Sequence, residues 1–541
     1  MSQRPWARTV PELVCEWSSR TPNAPAIVPE VGSSISYSQL ERMVRGIAES
    51  LTVRGIGRGS SVGLLAPNIA EWIPTALAVQ SVGAQLAAFN TFVKPRELSF
   101  LLDHSQCSAL VIADRVGRHS LLTTLQEVVP ELWQADLRPF ASERFPHLTT
   151  VIVIGEEHPV GAEAWKDLVR EPGQIDLPVD GHPSAGDDAV VVYTSGSTAR
   201  PKAVPLTHFA MIENGYAIGE RMNLTSQDRI WLGSPLFWSY GIANALMAAF
   251  THGAALVLQA EYTPSAAVDL IHRERCTAAY LLPTMVQELA ALPAKDRARL
   301  STLETGLTIG SPNEVALAVE LGVTGICNIY GSTEVYGNCC VTPRDMPLEL
   351  RLNRQGPPLP GVEIRLTDPE TGVPVTEGEG MIEVRGYVTR GYIGEPELNE
   401  KTFTADGWYR SGDLGSLLED GSLRFVARAT DMIKTSGINV SPAEVESFLN
   451  TLDDVDGCLV VGTPDQLRGE IVVALVRPTV GREVDPAAII AACKKNIATY
   501  KVPARVVFVD ALPLTSTGKI SRLEARRLAA ESVAPESVAG R

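Results

Sequence analysis

Tyr193-Thr194-Ser195-Gly196-Ser197-Thr198-Ala199-Arg200-Pro201-Lys202-Ala203-Val204 is the stretch on which the reading of this chain turns. It follows the apolar run Ala189 to Val192, which reads as a buried strand. Four small hydroxyl or glycine residues, Ser195 to Thr198, leave the carboxyl end of that strand, and Lys202 follows a few residues on. Exposed backbone N–H groups, hydroxyls and one cation suit a polyphosphate, whose charge is spread over many oxygens. The plainer reading is a Ser/Thr-rich turn between a strand and a helix. The stretch is not a Walker loop, which needs Gly-Lys-Ser/Thr, because Pro201 precedes Lys202 and Ala203 follows it. Pro201 has no N–H and biases Arg200 away from helix, so Lys202 is expected on an extended arm. That argues against a P-loop kinase or GTPase.

Working outward, 541 residues exceed one ordinary core, and two or more domains are expected. A chain with 45% hydrophobic and 20% charged residues is globular in composition. Its net charge of −16 speaks against non-specific binding to nucleic acid or to an anionic membrane surface. The eight cysteines show no Cys-x-x-Cys spacing and read as reduced cytosolic thiols, mostly core fillers. For Cys339-Cys340 the alternative is a place in a substrate pocket. Ile230 to Ala260 carries no Asp, Glu, Lys or Arg and is long enough to span a bilayer. Gly233, Pro235, Gly241, His252 and Gly253 interrupt it, so a buried strand–helix–strand unit is the expectation. Met1 to Thr21 is studded with charges and has no apolar core of an export signal, so a cytoplasmic protein is the expectation.

Short apolar runs alternate with helical patterns over the first four hundred residues or so. Val62–Ala66, Ala109–Ala113, Thr150–Ile154, Ala189–Tyr193, Ile230–Leu232, Ala255–Leu258 and Ala278–Leu282 read as buried strands, and Tyr37–Arg54 as an amphipathic helix. The alternation implies an α/β fold with parallel sheets covered on both faces. Past Gly356 the strands become Gly- and Pro-punctuated, as in Met381 to Arg385, which suggests a small antiparallel, barrel-like unit. After Arg428 the pattern resets. Ser441-Pro442-Ala443-Glu444 reads as a capped helix start, with Ser441 at N-cap and Glu444 closing a capping box. Strands at Cys458–Gly462 and Ile471–Val476 and a helix near Ala487–Asn496 complete a small α+β domain.

Further signatures stand in a fixed order along the chain: Asn328-Ile329-Tyr330-Gly331-Ser332-Thr333-Glu334, then Tyr409-Arg410-Ser411-Gly412-Asp413. Next comes Arg428 to Glu446, with Asp431, Lys434, Gly437, Pro442 and Glu444 in pattern, and finally Tyr500 to Pro503 and Pro513 to Lys519. Together with the opening loop they resemble the adenylate-forming superfamily, which includes acyl-CoA synthetases, peptide-synthetase adenylation domains and firefly luciferase. The likeness spans nearly the whole chain. It implies an N-terminal adenylation domain over residues 1–429 and a mobile C-terminal lid over 430–541, alternating about a hinge near Thr430. It also implies ATP, Mg2+ and coenzyme A as co-substrates and cofactor.

The resemblance assigns roles residue by residue. Thr194, Ser195, Gly196, Ser197, Thr198 and Lys202 match the phosphate loop. Glu334 matches the magnesium ligand, and Thr333 a donor to the α-phosphate. Tyr330 matches the aromatic that stacks on adenine, Asn328 the reader of its amino group, and Gly310-Ser311 the segment along its other face, with Gly331 and Ser332 between. Asp413 would accept from both ribose hydroxyls, which one ionised carboxylate can do. Arg428 would contact ribose or phosphate. Lys519 resembles the lysine that joins the α-phosphate, the ribose and the attacking carboxylate. The anionic nucleotide thus meets a local basic island of Lys202, Arg428 and Lys519 in an acidic molecule. Trp238 stands where many relatives have His and would fill or gate the acyl pocket. Tyr240, Gly241, Asn244, Met247, Val335 and Cys339 would face the acid, the small residues around Gly241 leaving it roomy. Thr430, Lys434, Ser436 and Gly437 would form the hinge and the thiol tunnel.

The chain departs from the family at Ala199, Ala203 and Ala427, where glycine is common, and at Thr430, where Asp or Lys is common. The expected reaction is acid plus ATP to acyl-AMP, then thioester formation with coenzyme A. The alternatives are a stand-alone ligase that hands acyl-AMP to a carrier or transferase partner, and an inactive acyl- or nucleotide-binding regulator. The uncharged run at Ile230–Ala260 argues against an amino-acid substrate. No nucleic acid or membrane span is expected, and the chain is expected as a monomer or homodimer.

Overall fold

Runs of β-branched and aliphatic residues with no polar alternation form the strands that are buried on both faces. Ala109–Ala113 and Thr150–Ile154 are wholly buried and pair in parallel, Ala109 opposite Thr150 and Ala113 opposite Ile154. The structure, a computed structural model, describes residues 4–134, 139–173, 182–194, 201–435, 438–465, 468–482, 484–497, 499–515 and 520–533, without the side chains of 434, 438 and 439.

Two sheets carry the large part of the chain. The first has seven strands in the order Lys202–Thr207, Asp188–Thr194, Gln85–Ala88, Ser61–Leu65, Ala109–Ala113, Thr150–Ile154 and Glu163–Ala164. Its neighbours run parallel except the first pair, an antiparallel hairpin. The second has eight strands: Cys340–Val341, Gly325–Tyr330, Thr305–Thr308, Ala278–Leu281, Arg229–Leu232, Ala255–Leu258, Pro25–Pro29 and Ile35–Ser36. It too is parallel apart from its two outermost pairs. Parallel neighbours need crossovers, and helices such as Trp72–Ser81, between Ser61–Leu65 and Gln85–Ala88, and Pro312–Glu320, between Thr305–Thr308 and Gly325–Tyr330, supply them. The fold is α/β, as the alternation of runs implies.

The uncharged stretch is a strand–helix–strand unit. Strand Arg229–Leu232 leads through a π-helical segment, Tyr240–Ala245, into helix Leu246–His252 and strand Ala255–Leu258, all buried but the first residue. Among the described residues no helix is long and apolar enough to cross a membrane.

A five-stranded sheet follows, ordered Pro374–Val375, Glu363–Thr367, Glu379–Arg385, Tyr409–Leu417 and Leu423–Arg428. Compact packing divides the chain into two units: Met1–Ile364 with Val384–Tyr409 and Leu418–Leu423, and Arg365–Glu383 with Arg410–Leu417 and Arg424–Arg541. The second unit has its own core, in which Ile433, Val445, Leu449, Val460 and Val476 pack together under the long hairpin Val455–Asp465 and Gly469–Pro478. Helix Pro442–Leu449 starts after Ser441 as expected, but no capping box forms. Glu444 instead meets Lys501 Nζ at 2.6 Å, because an ammonium is a stronger partner for the carboxylate than a backbone N–H.

Candidate functional site

Strands Asp188–Thr194 and Lys202–Thr207 flank the phosphate-loop candidate. Thr194 pairs with Lys202 and Tyr193 with Ala203, so the two strands that flank the phosphate-loop candidate in sequence are paired out to their last described residues. Ser195, Gly196, Ser197 and Thr198 lie outside the described residues. Lys202 begins a strand, the extended setting that Pro201 implies, and its Nζ stands 4.9 Å above the ring centroid of Tyr392. That is cation–π range.

Tyr392 also meets the carboxylate. Strand Gly325–Tyr330 ends at exposed Gly331 and half-buried Ser332, and the chain turns through the short 3-10 helix Thr333–Val335. Glu334 in that turn is only 8% exposed, and its Oε1 accepts the Tyr392 hydroxyl proton at 2.7 Å. The Thr389 N–H donates to the Glu334 carbonyl at 2.8 Å, and the Ile393 N–H to the Ala203 carbonyl at 3.1 Å. Segment Thr389–Ile393 therefore laces the Glu334 turn to the hairpin. Thr333 Oγ1 lies 3.1 Å from Ser239 Oγ, and Ser332 Oγ donates to the Tyr409 hydroxyl at 3.3 Å. Ser239, Tyr392 and Thr389 were not picked out by sequence; the only signal for Tyr392 is its place after Arg390-Gly391.

Among the described residues no three His, Cys, Asp or Glu side chains cluster to hold a metal. Glu334 offers a single hard carboxylate, one oxygen tied to Tyr392 and the other with no hydrogen bond among the described residues. That donor set fits magnesium, which keeps its waters and takes phosphate oxygens, better than a metal needing a full protein cage.

The candidate adenine residues sit at one strand end. Tyr330 is 8% exposed. Asn328 is fully buried, and its amide is engaged: Oδ1 accepts from the Ile329 N–H at 3.0 Å and the Gly310 N–H at 3.4 Å, while Nδ2 donates to the Arg351 carbonyl at 3.3 Å. Asn328 thereby holds the Gly310 segment beside strand Gly325–Tyr330. Ser311 caps helix Pro312–Glu320 in a capping box with Glu314.

On the acid side, Asn68 clamps the Pro235-Leu236 turn, accepting from the Leu236 N–H and donating to the Ser234 carbonyl, each at 2.8 Å. Half-buried Trp238 stands edge-on to Phe237 at 5.9 Å. The Tyr240 hydroxyl donates to the Leu307 carbonyl at 3.0 Å, its ring lies 5.0 Å from that of Tyr280, and burial pushes its pKa far up. Gly241 does not open space. A Cβ there would lie 2.3 Å from the Pro235 carbonyl oxygen, so the glycine permits backbone approach. Asn244, expected to face the acid, is fully buried and donates to Asn214 Oδ1 at 3.1 Å and the Tyr336 carbonyl at 2.7 Å. Met247 is equally enclosed, against Gly215 of helix His208–Met222. Val335, next to Glu334 in the same turn, and Cys339 are both buried, with Cys339 Sγ 3.5 Å from the Tyr330 carbonyl.

In the second unit Asp413 is 8% exposed and faces Arg428, whose Nε lies 3.4 Å from Oδ1. Ser411 braces the strand by accepting from the Asp413 N–H at 3.1 Å and donating to the Ile382 carbonyl at 2.7 Å. Thr430 lies in the 3-10 turn Ala429–Asp431, its carbonyl accepting from the Arg526 guanidinium at 2.9 Å. Arg522 and Arg526 flank Asp431 at 3.5 and 3.4 Å. The Lys434 backbone pairs with Asn439 in a hairpin. The Lys434 side chain, Ser436, Gly437 and Lys519 lie outside the described residues.

Comparison with known proteins identifies the family. Residues 14–393 match the family model for AMP-binding enzymes, and residues 444–519 the model for the AMP-binding enzyme C-terminal domain. A putative acyl-CoA synthetase of Bacillus subtilis, YngI, is 34% identical over 96% of both chains. The mitochondrial medium-chain acyl-CoA ligase ACSF2 of Rattus norvegicus is 31% identical over 96% of this chain and 87% of its own. Among solved structures, the anthranilate CoA ligase AuaEII in complex with anthranoyl-AMP is 26% identical with a TM-score of 0.85, covering 98% of this chain and 99% of that one. With the hairpin, the Glu334 turn and the Asp413 strand in place, the chain belongs to the AMP-binding enzymes of the adenylate-forming superfamily, and it is an AMP-forming ligase that makes an acyl-adenylate with ATP and transfers the acyl group to coenzyme A.

Proposed function

We propose that this ligase activates an apolar carboxylic acid without an amino group, using the Glu334–Tyr392–Lys202 arrangement beside the phosphate hairpin. That arrangement supports the reading, because one tyrosine engages a carboxylate through its hydroxyl and a cation through its ring face, the cation standing just after the phosphate-loop candidate in sequence. Glu334 would hold Mg2+, which when bound offsets the negative charge of the polyphosphate. Thr194, the hairpin turn and Lys202 would bind the phosphates, and Thr333, oriented by Ser239, would donate to the α-phosphate. Tyr330 and the Gly310 segment would enclose adenine, and Asp413 with Arg428 would take the ribose.

In the first half-reaction a carboxylate oxygen attacks the α-phosphorus, the bond to the bridging oxygen breaks, and pyrophosphate leaves. Two anions must meet, so Lys519 would lie between them and stabilise the charge that develops. In the second, the coenzyme A sulfur attacks the acyl carbonyl carbon, AMP departs, and the thiol proton is lost. For this the lid, residues 430–541, would turn about Thr430, with Lys434, Ser436 and Gly437 bordering the thiol path. The apolar surroundings of Trp238, Val335 and Cys339 and the medium-chain relatives support an aliphatic acid. Eight free thiols support a reducing compartment such as the cytoplasm.

ATP–pyrophosphate exchange over a panel of fatty, aryl and alicyclic acids, repeated with coenzyme A and analysed for thioester, tests this. Medium-chain aliphatic acids should give the fastest exchange and an acyl-CoA product. Exchange confined to amino acids would overturn the reading.

A further inference from the structure

We infer that Tyr392 is a positioning residue that keeps the phosphate-loop lysine and the Glu334 carboxylate apart and separately oriented; the inference rests on the proposed roles of Lys202 and Glu334. A lysine and a glutamate beside one binding site would ordinarily pair and cancel each other, and each would then be less available to a phosphate or a metal. No Lys202–Glu334 ion pair forms among the described residues. Tyr392 engages both instead. Its ring face takes the ammonium at 4.9 Å, and its hydroxyl donates to Glu334 Oε1 at 2.7 Å. One side chain therefore satisfies both charges through different parts of itself.

The tyrosine is held rigidly enough to serve as a spacer. It is 4% exposed, its N–H donates to Asn399 Oδ1 at 2.7 Å, and its carbonyl accepts from Asn399 Nδ2 at 2.9 Å. Phe403 packs against its ring with centroids 5.8 Å apart. Backbone bonds on either side of it reach the Glu334 carbonyl and the Ala203 carbonyl, so its place relative to both partners is set by main chain. The hydroxyl takes up one carboxylate oxygen and aims the other, which narrows Glu334 to a one-oxygen ligand.

The two functions separate by mutation. Tyr392→Phe keeps the ring and removes the hydroxyl; Tyr392→Leu removes both. ATP binding, without any acid present, is measured by calorimetry on the full-length protein in Mg2+ and in EDTA, with circular dichroism as the folding control. Tyr392→Phe should weaken ATP binding about tenfold in Mg2+ and change it less than about twofold in EDTA. Tyr392→Leu should weaken it in both, because Lys202 is then drawn to Glu334. Should the leucine variant not fold, the phenylalanine variant decides. Wild-type affinity of Tyr392→Phe in Mg2+, or equal losses in Mg2+ and EDTA, would overturn the inference. Glu334→Gln separates this from its premise. If Glu334→Gln loses the Mg2+ increment while Tyr392→Phe retains it, the positioning role fails alone; if Glu334→Gln retains the increment, the magnesium role fails and the inference with it.

Discussion

Lowering the pH from about 7.5 to about 5 should loosen the joint between helices Val10–Arg20 and His208–Met222, with His208 setting the size of the effect. His208 opens its helix directly after the phosphate hairpin, is 1% exposed, and accepts the Val10 N–H on Nδ1 at 3.2 Å. That bond requires a neutral imidazole, and a helix N-terminus also disfavours a cation. Burial pushes the His208 pKa down from 6.5 to about 4, against the opposing pull of the Asp187 and Glu12 carboxylates. The unfolded chain takes up this proton as the pH falls through 6.5, whereas the folded chain does not until about 4. Stability is therefore full above the upper value and lost between the two. At about pH 5 the loss comes to roughly 2 kcal/mol, or about 30-fold in an opening equilibrium. In His208→Asn the side-chain oxygen can accept the same N–H and does not titrate. Hydrogen exchange on peptides from the two helices, corrected for intrinsic rates, should show wild type losing about 30-fold more protection than the variant over this range. Equal losses in the two proteins would refute the reasoning.

Asp413→Ala should raise the KM for ATP about tenfold and blunt discrimination against 2′- and 3′-deoxy-ATP, as steady-state kinetics would show; unchanged selectivity would remove Asp413 from the ribose. Thr430→Pro should slow thioester formation from supplied acyl-AMP far more than adenylation, since it restricts the turn that Arg526 braces at its carbonyl. Arg522 holds both Glu446 oxygens, at 3.1 and 3.2 Å, while burial raises the Glu446 pKa. Arg522→Met should therefore lower the stability of the second unit by about 2 kcal/mol in thermal unfolding, and adding Glu446→Gln should restore much of it.

The architecture was readable where apolar runs are unbroken. Ala109–Ala113, Thr150–Ile154 and Ala255–Leu258 are strands residue for residue. Thr305–Thr308 and Gly325–Tyr330 escaped notice because they mix glycine, threonine and asparagine. Gly306 is there because a Cβ would lie 2.3 Å from the Ala279 carbonyl oxygen of the neighbouring strand, a tertiary demand with no local signature. Glu334 and Asp413 could be singled out as candidates because each stands in a short local motif, Tyr330 to Glu334 and Tyr409 to Asp413. Tyr392 was not, since it reaches Glu334 across 58 residues of chain. Asn244 and Met247 look like pocket residues by position in a small-residue helix, yet Asn244 spends its amide on Asn214 and Tyr336. Ser441 and Glu444 show the same limit, where a local capping pattern yields to Lys501, which lies 57 residues away in sequence.

In this ligase Lys519 is proposed to act in the transition state of acyl-adenylate formation. Acid-dependent ATP–pyrophosphate exchange by wild type and Lys519→Ala, with ATP binding measured in parallel, tests it most directly. Exchange is expected in the wild type, with a fall on the order of a hundredfold or more in the variant and nearly unchanged ATP affinity. Wild-type exchange by Lys519→Ala would contradict that role.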